Sequence, residues 1–123
     1  MGEVSKASDF SFHIAHLGIN CSDSTEAVKQ CELFSTFFGF PKLNDKPESV
    51  YSGPMMEMMK GVGRGRHGHI AIATLEIDEA VIYLKSKGVA FDDESIKRNE
   101  KGEVTVIYLK DEIAGFAVHL LRK

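Results

Sequence analysis

His16, Glu57, His69 and His119 are side chains of the types that ligate divalent cations, and their spacing is matched. A shift of 53 residues lays His16-Leu17-Gly18-Ile19-Asn20-Cys21 on His69-Ile70-Ala71-Ile72-Ala73-Thr74, and Glu26-Ala27-Val28 on Glu79-Ala80-Val81. A shift of 62 lays Gly53-Pro54-Met55-Met56-Glu57-Met58 on Gly115-Phe116-Ala117-Val118-His119-Leu120, with Glu57 over His119. Imidazole and carboxylate donors suit nickel, zinc, cobalt, manganese or ferrous iron, and geometry decides among them. Taken singly, a strand histidine is most often a hydrogen-bonded core or rim residue, and a strand glutamate is most often solvated. The duplicated placement sets these four apart as one metal site. Glu57, the only carboxylate among them, is also the candidate base for removing a proton beside a carbonyl.

The elements that carry these residues repeat as well. Residues 12–21 are β-rich and end in a Ser/Asp cluster. Asp23 with Glu26 predicts a capped helix start, and Ala27, Cys31, Phe34 and Phe38 recur at helical spacing, with Val28 and Phe37 widening the apolar face. Gly39 and Pro41 end that helix, and short strand-like pieces punctuated by turns fill 42–60. The second copy predicts a strand at 67–75, a helix from Asp78 to Lys87 closed by Gly88, a weak strand, and strands at 104–110 and 115–122. The reading is α+β. A single domain over 1–123 has a tail at 1–11 and βαβββ modules at 12–63 and 65–123, forming one concave mixed sheet with helices outside. The glycines between Gly61 and Arg66 resemble no phosphate loop, because no strand runs straight in and no helix straight out.

Alternation along a strand puts His16, Gly18 and Asn20 on one face, and His69, Ala71 and Ala73 on another. Branched residues fill the opposite faces, where helices would pack. The histidine faces carry small residues, which leave room for a cavity. By the same parity His13 points away from it, and His67 lies at its rim. Arg64 and Arg66, with Lys60, could meet an acidic substrate near the cavity, although loop charges of this kind more often face water.

Composition limits the partners. The chain has 123 residues, 43% of them apolar and 27% charged, with a net charge of -3. It lacks the basic surface that sequence-independent nucleic-acid binding needs. No apolar run is long enough for a membrane span, and the first ten residues lack the apolar core of a signal peptide. Cys21 and Cys31 have no CxxC or zinc-knuckle spacing, so a reduced, cytoplasmic chain is expected. An exposed sheet edge and an open cavity predict a C2 homodimer.

Over about 12–123 these residues resemble the vicinal-oxygen-chelate superfamily, which includes glyoxalase I, methylmalonyl-CoA epimerase, extradiol dioxygenases and bleomycin-type antibiotic-resistance proteins. His16 matches the ligand histidine of the first strand of bacterial glyoxalase I, Met56-Glu57-Met58 its I-E-L strand, and Gly68-His69-Ile70-Ala71 its G-H-I-A. Gly115-Phe116-Ala117-Val118-His119-Leu120 matches the last strand, with His119 where that family has Glu. Asp111-Glu112-Ile113-Ala114-Gly115 replaces its D-P-[DN]-G turn. The resemblance implies a glyoxalase-like fold and a divalent metal ion. It also implies a lyase or isomerase of glyoxalase I type, acting on a small oxo- or hydroxy-acid-like substrate through an enediolate. It leaves two alternatives: a metal-dependent dioxygenase, with two His and one Glu as a facial triad, and a non-catalytic binding or resistance protein.

Overall fold

The computed structural model describes residues 5–123. Its elements are β1 (His13–Asn20), α1 (Ser24–Phe38), β2 (Lys42–Leu43), β3 (Ser49–Ser52), β4 (Met56–Met59), β5 (Gly68–Thr74), α2 (Ile77–Ser86), β6 (Phe91–Arg98), β7 (Val104–Leu109) and β8 (Phe116–Arg122). This is βαβββ twice, forming the expected glyoxalase-like α+β fold. All eight strands join one mixed sheet in the order β2-β3-β4-β1-β5-β8-β7-β6. Within each half the first strand pairs in parallel with the last, β1 with β4 and β5 with β8. The halves meet through the antiparallel pair β1–β5, so a pseudo-two-fold relates them.

Local chemistry explains the helix ends. Asp23 caps α1 by accepting a 2.8 Å hydrogen bond from the Glu26 amide, and Glu26 reaches back to the Ser22 amide at 2.8 Å. Such a cap contributes about 1 kcal/mol. Gly39 closes the helix in the left-handed region at φ 75°, a conformation that costs a residue with a Cβ more than it costs glycine. The second helix starts at Ile77, with no side-chain cap on Glu76.

Both helices pack on the same face of the sheet. One core gathers Cys21, Ala27, Cys31, Val50 and Met58 under α1; the other gathers Phe10, Ile77, Ala80, Ile107 and Leu120 under α2. Both cysteines are free and buried, and burial pushes their thiols up. Phe10 departs from the expectation of a tail over 1–11, of which residues 1–4 lie outside the described residues. A 3-10 turn at Ala7–Phe10 folds it under the second half. There its ring meets Phe12 and Tyr83 at 5.5 and 5.2 Å, and its carbonyl accepts a 2.7 Å hydrogen bond from Thr74 Oγ1.

Two expectations change. His13 does not take the face opposite His16. A β-bulge at Ala15 sets two residues of β1 against one of β5, so His13 lies opposite Ala73 and His16 opposite Ala71, on one face. Its Nδ1–H donates to the Ser11 carbonyl at 2.9 Å, and the ring stays exposed beyond the site. Phe37 and Phe38, read as part of the helix's buried face, are 67% and 64% exposed, because the side of α1 that meets the sheet is the one carrying Ala27 and Cys31, with Val28 and Phe34 beside them. No helix among the described residues is long and apolar enough to cross a membrane.

Candidate functional site

The face turned away from the helices brings His16, Glu57, His69 and His119 together. Register does this symmetrically. Glu57 of β4 stands opposite Gly18 of β1, and His119 of β8 opposite Ala71 of β5, where Ala71 is the counterpart of Gly18 in the repeat. His16 Nε2 and His69 Nε2 lie 3.2 Å apart, and Glu57 Oε1 is 3.1 Å from His69 Nε2 and 3.5 Å from His16 Nε2. The donor nitrogens of His16, His69 and His119 all lie within 4.8 Å of one another.

Those spacings test the fit of a cation. With bonds of about 2.1 Å, neighbouring donors stand about 3.0 Å apart around an octahedral ion and about 3.4 Å apart around a tetrahedral one. Two sides of the observed triangle, 3.1 and 3.2 Å, fall in that range, and the third, 3.5 Å, lies just above it. Three atoms that carry lone pairs also repel at this spacing unless a proton or a cation sits among them. The residues present therefore fit a divalent ion, with His16, His69 and Glu57 as a close triangle and His119 as the further donor.

The neighbours prepare these donors. Ser49 Oγ donates to Glu57 Oε2 at 2.7 Å, leaving Oε1 for the imidazoles. Burial works against the Glu57 carboxylate, yet hydrogen bonds from His69 and Ser49 and the charge of the imidazoles prevail and hold its pKa at about 2. Burial lowers His16 and takes His119 down to about 4, so both rings are neutral near pH 7, as metal ligation requires. A carbonyl oxygen can only accept, so the 3.0 Å contact from His119 Nδ1 to the Leu120 carbonyl puts the proton on Nδ1 and leaves the Nε2 lone pair free. Glycine makes the room. A Cβ built on Gly18 would fall inside the imidazole of His69.

Access is uneven. The side chain of His69 keeps 8% of its exposure and His119 is buried, whereas the side chains of His16 and Glu57 keep 16%. A ligand would therefore approach from the His16–Glu57 side. Arg64 is not against the four. Its guanidinium lies 4.4 Å from the Tyr108 ring centre and pairs with Asp92 at 3.2 Å, and Tyr108 in turn packs on His119 at 4.7 Å. Arg66 and His67 are exposed, and His67 packs on Phe116 at 5.7 Å. Lys60 pairs with Asp45, away from the cluster.

The sequence reading missed two tyrosines. Tyr51 lies opposite Glu57, and Tyr108 opposite His119, at matching positions of the two halves. Tyr51 meets His16 edge-on at 5.9 Å, and burial followed by the Glu57 charge pushes its hydroxyl up to about 12. Burial also raises Tyr108. A tyrosine in the strand before each donor strand was the available signal.

No family model matches the chain, and no curated protein sequence matches it. Solved structures do resemble it. The hypothetical protein BH1468 from Bacillus halodurans C-125 superposes with a TM-score of 0.64 at 18% identity, covering 92% of this chain and 95% of its own. A variant of Streptomyces coelicolor methylmalonyl-CoA epimerase in complex with 2-nitronate-propionyl-CoA gives 0.59 at 17%, covering 88% and 94%. Methylmalonyl-CoA epimerase from Mycobacterium tuberculosis gives 0.56 at 15%, covering 88% and 85%. At these identities the likeness establishes the fold alone: the chain shares the glyoxalase-like α+β fold of these structures.

Proposed function

We propose that His16, Glu57, His69 and His119 hold one divalent metal ion, and that the chain is a lyase or isomerase of glyoxalase type for a small oxo- or hydroxy-acid-like substrate. The observation that supports this best is the close triangle of His16 Nε2, His69 Nε2 and Glu57 Oε1. A bound divalent ion would supply Lewis acidity at two adjacent substrate oxygens, worth several kcal/mol where negative charge develops. The chain's own groups do the rest. Glu57 stands on the more open side, ionised throughout the neutral range, and is the group we assign to proton removal beside a carbonyl. With a pKa of about 2 it is a weak base, so the C–H it attacks must first be acidified. Tyr51 and Tyr108 wall the site from either end and help to exclude water. Arg64, freed from Asp92, is the arginine we assign to an acidic substrate group, because it stacks on Tyr108, which packs on His119; the exposed Arg66 is the second candidate.

Metal content measured on protein purified without chelator or metal-binding tag tests the site. We expect about one equivalent per chain in the wild type and an affinity at least ~100-fold lower in His69→Ala, since loss of even an outer partner costs 10–100-fold. Equal content in both would end the assignment. Deuterium uptake from D2O into small 2-oxo and 2-hydroxy acids then tests the proton chemistry. The two-His, one-carboxylate triangle favours a second reading, a ferrous dioxygenase, and oxygen consumption by the iron-loaded protein separates it from the first.

A further inference from the structure

The row of side chains that carries His119 continues to the margin of the second half and ends in a charge. Tyr108 of β7 stands opposite His119 of β8, and Asp92 of β6 stands opposite Tyr108, so the three share the face of the site. The matching row of the first half runs from Glu57 through Tyr51 to Leu43, where no charge closes it. Arg64 reaches over the charged row from the segment that joins the halves. Its guanidinium sits 4.4 Å from the Tyr108 ring centre and donates from Nη1 to Asp92 Oδ2 at 3.2 Å. The backbone on either side of Arg64 is pinned by Asn20, whose side chain accepts from the Gly63 amide at 3.3 Å and donates to the Gly65 carbonyl at 3.0 Å. Asp92 is held as well, with Oδ1 accepting from the Glu94 amide at 3.1 Å and its carbonyl accepting from Ser95 Oγ at 2.6 Å. Two opposite charges are thus fixed at one end of the donor cluster. Among the described residues the guanidinium spends only its Nη1 on a protein partner.

We propose that Asp92 and Arg64 form a charge filter that selects small acids with a second anionic group: Asp92 occupies Arg64 until that group displaces it. The filter rests on the reading above, in which the other end of the substrate binds at the four donors. Span, fork and exposure all favour the exchange. Tyr108, which the guanidinium covers as a cation–π pair, packs on His119 with ring centres 4.7 Å apart, so the guanidinium carbon lies within about 9 Å of the His119 ring centre. A five-carbon diacid covers roughly 5 Å between its end carbons, and a hydrogen bond adds about 3 Å at each end. An arriving carboxylate can take two parallel N–H groups of the guanidinium, where Asp92 takes one. The pair it displaces is weak, since the Arg64 and Asp92 side chains keep 48% and 33% of their exposure. A neutral tail has no such exchange to make: it leaves Arg64 on Asp92 and gains nothing at this end of the row.

Calorimetric titration of the full chain, with and without added zinc, tests this with two probes of one carbon skeleton. These are 2-oxoglutarate and 2-oxopentanoate, which differ in the second carboxylate. We expect 2-oxoglutarate to bind at least ~10-fold more tightly. Arg64→Gln should erase that preference by weakening 2-oxoglutarate alone, and Arg64→Lys, which keeps the charge without the fork, should retain part of it. Asp92→Asn should tighten 2-oxoglutarate about threefold and leave 2-oxopentanoate unchanged. Asp93→Asn, which removes the same charge from the exposed neighbour, should do neither. In an Arg64→Gln background, Asp92→Asn should have no effect. Equal affinities for the two probes overturn the proposal, as does binding of neither. So does an Asp92→Asn change that moves both probes alike or that Asp93→Asn reproduces. A chain that takes up no metal yet keeps the Asp92-dependent preference fails the metal assignment and retains the filter. A chain that takes up one equivalent and binds both acids equally retains the metal assignment and fails the filter.

Discussion

In the first half of the sheet Glu57 takes a hydrogen bond from Ser49 and stands opposite Gly18; in the second, His119 stands opposite Ala71. Val106, two residues before Tyr108, holds the place that Ser49 holds before Tyr51. The backbone is the same and the neighbours differ, each in the way its donor requires. A half-buried carboxylate needs an O–H or N–H beside it, and Ser49 provides one. An imidazole carries its own N–H and spends it on the Leu120 carbonyl, so an apolar Val106 suffices. Room differs too. His69 lies over Gly18, where no side chain fits, whereas His16 lies opposite Ala71 and tolerates a methyl group. Duplication thus fixes where the donors stand, and local partners fix their charge.

The glycine difference predicts the largest effect. Gly18→Ala must push the His69 ring aside and should weaken metal binding by about 10–100-fold, with a loss of about 1–3 kcal/mol in stability. Ala71→Gly, at the matching position, should keep the metal and cost about 1 kcal/mol or less. Titration with a metal indicator alongside urea unfolding reads both, and equal losses would break the comparison. The donor difference comes next. His119→Glu puts a carboxylate where no hydroxyl awaits it, and should cost about 2–3 kcal/mol in the metal-free chain. Adding Val106→Ser should recover about 1 kcal/mol, measured by the same urea curves. No recovery would mean that Ser49 does not explain the tolerance of Glu57.

Acid sharpens the contrast least but most broadly. His119 falls from its ordinary 6.5 to about 4, and Glu57 from 4.5 to about 2, so both folded values lie below the unfolded ones. Protonation therefore favours unfolding at each site. The stability they contribute is complete above pH 6.5, declines as the pH falls toward 4 through His119, and declines again from 4.5 toward 2 through Glu57. Thermal melts of the metal-free protein should trace this decline, and His119→Gln should flatten its upper part while leaving the lower part.

The sequence carried the repeat and the donors because both rest on residue type and alternation, which a strand imposes locally. His16 and His69 could be aligned by eye, and Glu57 with His119 followed from the strand endings. What the sequence concealed depends on partners distant along the chain. The bulge at Ala15 is a property of how β1 meets β5, and it reversed the face of His13. Phe37 and Phe38 keep a helical apolar rhythm whether or not a sheet lies beneath them. Phe10 looked like part of a tail until Tyr83 and Thr74 were folded against it. Tyr51 and Tyr108 gave no signal alone, since their meaning lies in the residues opposite them.

The four donors occupy β4, β1, β5 and β8, which are the middle strands of the sheet, while β2 and β6 lie at its margins. Fraying at either margin would displace no donor, although Asp92 on β6 holds Arg64. A change at the margins would therefore alter what approaches the centre before it alters the four donors themselves.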